Sequence, residues 1–192
     1  ADQSARMNTI IENIMQLGRR DYSQAEIFEL KKFLNKFANN FMVNQHFDGK
    51  IQQAQTSIAN QNEIFVDINP ADVKIRFDIS HLEQILTNLC ENGLRHSKHY
   101  VGHPKVELRG GITPEFNRPF LDIIDHGTGM DAKTAQHIFE PFFTTEATGS
   151  GLGLYISREL AECNQARMNY IPIATGGSCF RITFQDPRRS IS

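Results

Sequence analysis

Between Ser80 and Ser97 the chain carries a helical repeat with two unlike faces, and no other segment restricts its fold as strongly. At about 100° per residue, Leu82, Ile85, Leu86, Leu89 and Gly93 fall on one side. Asn88, Asn92, Arg95 and His96 fall together on the other. The first side has to lie on a core. The second sets two amides one turn apart, with basic groups a turn later, and suits either plain solvent or a polar ligand. An Asn carbonyl oxygen is a hard donor of the kind Mg²⁺ takes when phosphate supplies its other oxygens. Arg95 can meet phosphate oxygens as a fork. Ser80 is the expected N-cap.

The segments around this helix predict a sheet. Glu63–Asn69 and Val73–Asp78 are short β-like runs joined at the turn signal Asn69-Pro70. Lys105–Arg109 and Phe120–Asp125 read as strands, and Arg167–Ile173 with Cys179–Phe184 as a closing strand pair. Short helices are expected near Ala132–Ile138 and over Leu152–Cys163. The order predicts an α/β fold: a two-layer sandwich with a mixed, largely antiparallel sheet and helices on one face. Upstream, Met7, Ile10, Ile14 and Leu17 make a narrow seam on an N-terminal helix over 4–20 that wants a partner helix. Ile27, Leu30, Leu34, Phe37 and Phe41 predict a second helix over 25–47, and residues 48–61 are indistinct.

Charge and cysteine usage exclude several functions. The net charge of −2 leaves no basic field for nucleic acid or an acidic membrane surface. No apolar run approaches the roughly 20 residues that cross a bilayer. Cys90, Cys163 and Cys179 are too widely spaced for a disulfide framework or a CxxC metal site, and Cys90 and Cys163, which lie in apolar helical patterns, read as buried thiols. The chain begins without Met and inside a helical pattern, as a piece of a longer protein would.

Three further motifs carry chemistry. The apolar strand Phe120–Asp125 runs into a carboxylate followed by Gly127 and Gly129, where backbone can approach a ligand closely. Asp125 suits a base with an exocyclic amine; an ordinary Asp-x-Gly turn is the alternative. Gly149, Ser150, Gly151, Leu152, Gly153 and Leu154 open a helix with glycines at alternate positions, placing N–H groups toward an anion. No Lys-Ser or Lys-Thr follows, so this is not a Walker loop, and no buried strand precedes it, so it is not a dinucleotide fingerprint. Between them, Ile138 to Thr145 is apolar and contains Pro141, which suits a lid latched by Phe139, Phe142 and Phe143, or simple aromatic packing.

The order Asn-x-x-x-Asn, Asp-x-Gly-x-Gly, Phe-x-Pro-Phe-Phe and Gly-x-Gly-x-Gly resembles the N, G1, F and G2 boxes of sensor histidine kinases, over about residues 64–185. The resemblance implies the Bergerat ATP-binding fold. Residues 6–20 look like the second helix of a dimerisation and phosphoacceptor domain, and 162–170 with 176–184 look similar to the pilus-regulating PilS branch. The implied division is a fragment of that domain over 1–22, a helical linker and start of the catalytic domain over 23–62, the ATP-binding domain over 63–186, and a tail over 187–192.

By motif position, the resemblance makes Asn92 the Mg²⁺ ligand, supported by Asn88. It sets Arg95 and His96 along the phosphates and sugar, Asp125 on adenine, and Gly127 and Gly129 in the loop beside it. Phe143, Thr144 and Thr145 belong to the lid, and Gly149, Ser150, Gly151, Leu152, Gly153 and Leu154 to the phosphate loop. The cofactors implied are ATP and Mg²⁺. The implied reaction is transfer of the γ-phosphoryl group to a histidine, for relay to an aspartate of a response regulator. The implied partners are that regulator, the chain's own dimerisation domain and a second copy, with no nucleic acid. The implied location is a cytoplasmic domain of a protein anchored in the inner membrane, with no direct membrane contact by this segment.

Three positions depart from the family pattern. Gly93 stands where Ala is usual, a helix weakening of about 1 kcal/mol. Glu146 stands where Lys is common, so one lid-to-phosphate contact is expected to be missing or repulsive. None of the seven histidines lies in a phosphoacceptor box, which places the acceptor before residue 1. The rival readings are an ATPase of the same superfamily, which needs a general base where Asn88 stands, and a non-catalytic nucleotide-binding module.

Overall fold

The alternation of Val106, Leu108, Leu121, Ile123 and Ile182 along three strands demands one covered sheet face, and all five side chains are buried. The structure is a computed structural model and describes residues 24–48, 63–146 and 149–188. The helix expected over 4–20 and nearly all of the indistinct stretch 48–61 lie outside the described residues.

The main sheet has five strands in the order β2-β4-β5-β7-β6. These are β2 (Glu63–Ile68), β4 (Lys105–Ile112), β5 (Pro119–Asp125), β7 (Ser178–Thr183) and β6 (Arg167–Pro172). β2 pairs with β4 in parallel and every other pair is antiparallel. The parallel pair needs a crossover, and α2 (Ile79–Val101) lies within it. α2 and α4 (Gly153–Cys163) bury Ile85, Leu86, Leu89, Ile156 and Leu160 in the core over the sheet. A short α3 (Ala132–His137) follows β5. This is the mixed, mostly antiparallel α/β sandwich that the strand spacing predicts.

The second helix is shorter than its periodicity suggests. α1 runs over Leu30–Asp48, and Glu26–Glu29 instead form β1, which pairs antiparallel with β3 (Lys74–Phe77) in a separate two-stranded sheet. Ile27, expected on the apolar stripe, is 55% exposed on this strand. The open edge of β3 decides the matter: ladder pairing outweighs the weak helix preference of four residues. Leu30 and Leu34 are fully buried, so this segment belongs to the same core. The run 63–78 does turn at Asn69-Pro70, a cis peptide, but its two strands join different sheets.

α2 also starts differently. Asp78, not Ser80, is its N-cap; Asp78 Oδ1 accepts the N–H groups of Ser80 at 2.9 Å and His81 at 3.2 Å. A carboxylate one residue ahead of the helix satisfies orphan amides better than a hydroxyl already inside the first turn. Asp78 Oδ2 accepts the Gln24 N–H at 2.7 Å, tying the incoming chain to this helix. Asn164, just past α4, clamps the same corner by accepting the Asp78 N–H at 2.8 Å and approaching His81 Nδ1 at 2.9 Å.

Candidate functional site

α2 lays its apolar face on the sheet as expected, with Leu82, Ile85, Leu86, Leu89 and Gly93 all buried. The opposite stripe faces a cavity of about 570 Å³, the size of a nucleotide or drug-like ligand. Asn88, Asn92, Arg95 and His96 line one wall, Asp125, Gly127 and Gly129 the floor. Phe143, Thr144, Thr145, Gly149, Ser150, Gly151, Gly153 and Leu154 line the mouth and far wall. Four stretches scattered over some sixty residues of sequence therefore meet at one cavity.

Leu152 does not join them. It is 3% exposed and part of the core. It ends the glycine run immediately before α4, and its side chain packs inward while its flanking glycines border the cavity. No side chain caps the first turn of α4, so its leading N–H groups remain available to an anion at the dipole's positive end.

Asp125 is the most constrained polar group in the cavity. It ends β5 on the covered face, opposite Val106 of β4 and Ser178 of β7, and is 6% exposed. Its Oδ1 accepts the N–H of Gly127 at 2.8 Å and of Ser178 at 3.2 Å. Burial pushes the carboxyl above the usual Asp range, against the pull of these bonds and of nearby His96. A buried carboxylate held by backbone in a ligand-sized cavity suits a donor such as an exocyclic amine. The floor is close-packed beneath it: Gly129, at φ +75°, has room for a Cβ only 2.8 Å from the Gly177 carbonyl. Ser97 Oγ accepts the His126 N–H at 3.0 Å and so fixes the start of the same loop.

The lid aromatics divide. Phe139 packs edge-on against Phe180 with centroids 6.4 Å apart and lies under the Arg158 guanidinium at 5.1 Å. Phe143 stacks near His137 at 5.8 Å. Phe142 is no latch in this conformation: it is 66% exposed and sits at φ +66°. Gly151, at φ +70°, makes that turn feasible, since any Cβ there would lie 2.4 Å from the Phe142 carbonyl carbon.

The polar stripe is internally bonded. Asn88 Nδ2 lies 3.4 Å from both the Gly153 carbonyl and Ser157 Oγ, so it spans to α4. Arg95 Nη2 donates to Asn92 Oδ1 at 2.8 Å, and Arg95 Nη1 donates to Glu146 Oε2. His96 Nε2 is 3.5 Å from the other Glu146 oxygen. Among the described residues no cluster of three or more His, Cys, Asp or Glu could hold a metal by itself. Asn92 Oδ1, which here accepts from Arg95, is a hard oxygen of the kind that suits an ion taking its other ligands from phosphate and water.

Sequence reasoning missed several cavity residues. Ser178 lies just ahead of the expected strand Cys179–Phe184 and in fact opens β7; the Gly176-Gly177 step before it signals the turn that brings it to Asp125. Met130 and Ile138 supply apolar wall, and Thr128 and Phe180 also border the space; no periodic signal marks them. Glu91 of α2 borders the cavity as well.

The comparisons with known proteins agree with this geometry. Residues 77–188 match the family described as histidine kinase-, DNA gyrase B-, and HSP90-like ATPase. The chain is 42% identical over 188 residues to the sensor protein kinase PilS of Pseudomonas aeruginosa, which covers 98% of the chain and 33% of that protein. It thus spans about a third of that curated relative's length. The histidine kinase AdeS of Acinetobacter baumannii superposes with a TM-score of 0.68 at 19% identity, covering 98% of this chain and 82% of that one. A nucleotide-free catalytic domain of the histidine kinase ThkA gives 0.64 at 17% identity, covering 84% and 95%. Both solved structures share the fold.

Proposed function

Because the chain belongs to the histidine kinase-, DNA gyrase B-, and HSP90-like ATPase family, we propose that it binds ATP in the cavity over Asp125 and serves as the catalytic part of a sensor kinase. The observation that carries this reading is the cavity itself, which gathers a buried carboxylate, basic side chains and an uncapped helix start around one space of about 570 Å³. In this reading Asp125 accepts a hydrogen bond from the adenine amino group, with Gly127 and Gly129 shaping the loop. Arg95 and His96 meet the phosphates and sugar. The amides around Gly149, Ser150, Gly151 and Gly153 hold the terminal phosphates, and Phe143, Thr144, Thr145 and Leu154 close the site.

Asn92, supported by Asn88, would hold Mg²⁺, which when bound neutralises charge on the phosphates. The chain's own contribution is positioning and electrostatics, since phosphoryl transfer asks for little covalent chemistry from the protein. The γ-phosphorus forms a bond to a histidine nitrogen as its bond to the bridging oxygen breaks, and ADP leaves. No histidine here has phosphoacceptor neighbours, so the acceptor is proposed to lie outside these 192 residues. Relay to a response-regulator aspartate, pairing with a dimerisation domain and a second copy, and a membrane-anchored parent protein complete the proposal. Among the described residues no helix is long and apolar enough to cross a membrane.

A hydrolytic ATPase is disfavoured by Asn88, an amide that cannot take a proton from water and that is bonded across to α4. Calorimetric titration of ATP and ADP, with and without Mg²⁺, tests the reading. Micromolar binding that Asp125→Asn abolishes supports it. Failure of the unmutated chain to bind, or hydrolysis above about 1 per second, would overturn it.

A further inference from the structure

Glu146 borders the cavity beside the basic groups of its α2 wall. Its carboxylate is paired with the Arg95 guanidinium through Oε2 and lies 3.5 Å from His96 Nε2 through Oε1. These are the basic groups on the cavity side of α2. Its placement is built into the backbone. The Glu146 N–H donates to Thr144 Oγ1 at 3.0 Å, and the Glu146 carbonyl accepts from Thr144 Oγ1 at 3.3 Å and from the Gly149 N–H at 3.3 Å. Gly149 is needed for that fold-back, since a Cβ on it would lie 2.6 Å from Thr144 Oγ1. The same guanidinium covers the Asn92 oxygen at 2.8 Å. One acidic side chain from the lid thus engages the basic groups of the polar stripe directly, and its amide oxygen through Arg95.

We propose that Glu146 is a specificity-determining residue, a tethered carboxylate that stands in for the terminal phosphate and must be displaced by it. The proposal rests on the ATP reading. A ligand lacking phosphates binds beside Asp125 without disturbing the Glu146–Arg95 pair. A ligand whose terminal phosphate reaches Arg95 gains that contact only by breaking the pair, and then sits beside a carboxylate of like charge. The gain from each added phosphate is therefore damped, and the affinities of adenosine, ADP and ATP lie closer together than the basic stripe alone would make them.

The test is calorimetric titration of adenosine, ADP and ATP with Mg²⁺ into the 192-residue chain and into Glu146→Gln and Glu146→Ala. Both side chains of the pair are partly exposed, so the effect is modest: ATP tightens about three- to tenfold in both variants. ADP tightens less, and adenosine stays unchanged. Thermal melts of the variants check that the fold is intact. ATP affinity equal to or weaker than that of the unmutated chain, with adenosine unchanged, overturns the proposal. If neither adenosine nor ATP binds any of the three chains, the nucleotide reading itself fails, and this inference falls with it.

Discussion

Gly177 is packed against the backbone of Asp125 so closely that a Cβ on it would lie 2.3 Å from the Asp125 carbonyl oxygen. Gly177 also sits at φ +93°, where an L side chain is strained. The turn before β7 is therefore part of the cavity floor. Gly177→Ala should cost more than about 2 kcal/mol through strain and displacement. It should also weaken ATP binding, since Ser178 would be pulled from Asp125. Thermal melts and titration of the same preparation check both effects.

Asp125→Asn should separate stability from binding. Because its carboxyl titrates above the usual Asp range in the folded chain, the group favours folding at pH below its unfolded pKa. That contribution is lost as pH rises through the folded pKa. The amide carries no charge to desolvate, and its oxygen can still accept from Gly127 and Ser178. The variant should therefore melt at least as high as the unmutated chain near pH 7, and its relative advantage should shrink toward pH 4. ATP affinity should fall by about a hundredfold or more.

Gly93 leaves little room for the Ala that the family resemblance leads one to expect. A Cβ at this position would lie 2.8 Å from Val106 Cγ2 and 3.2 Å from Asp125 Cβ. Restoring Ala offers about 1 kcal/mol of helix propensity against about 1–3 kcal/mol of overpacking. Gly93→Ala should thus fail to stabilise the chain. Paired with Val106→Ala, it should show a favourable coupling of about 1 kcal/mol in a double-mutant cycle measured by denaturant melts.

The three thiols should differ in reactivity. Cys90 is fully buried and its thiol is pushed far up by burial. Cys179 is buried beside Asp122 and pushed up to about 12. Cys163, expected to be buried from its helical pattern, is only half-buried. Ellman's reagent at pH 8 should label one thiol per chain quickly and the other two only on unfolding. Cys163→Ser should remove the fast phase.

What the sequence disclosed depended on how local each signal was. The two faces of α2 were legible because core and cavity both follow helical spacing, and the strand running into Asp125 because alternation and its terminal carboxylate are adjacent. β1 was not legible: Glu26–Glu29 becomes a strand only because β3, some forty-five residues later, offers an edge. Ser80 reads as the cap because it heads the helical repeat, whereas Asp78 reads as the end of the preceding β-like run; only backbone geometry shows that Asp78 is the cap. Leu152 was read with the glycines around it, yet its side chain turns into the core. The Glu146–Arg95 contact was invisible for a different reason. A residue substitution tells which charge has changed, and only the path of the lid tells what that charge meets.

The strand order β4-β5-β7 has a consequence for how the protein is made. Asp125 takes one of its two backbone donors from Ser178, 53 residues further along the chain, and the strand carrying that donor must slot in beside β5. During vectorial synthesis the floor of the cavity cannot close until most of the domain has left the ribosome. A nascent chain halted before residue 178 would hold its glycine loops and the helix carrying Arg95, with Asp125 short of a partner and no finished pocket around it.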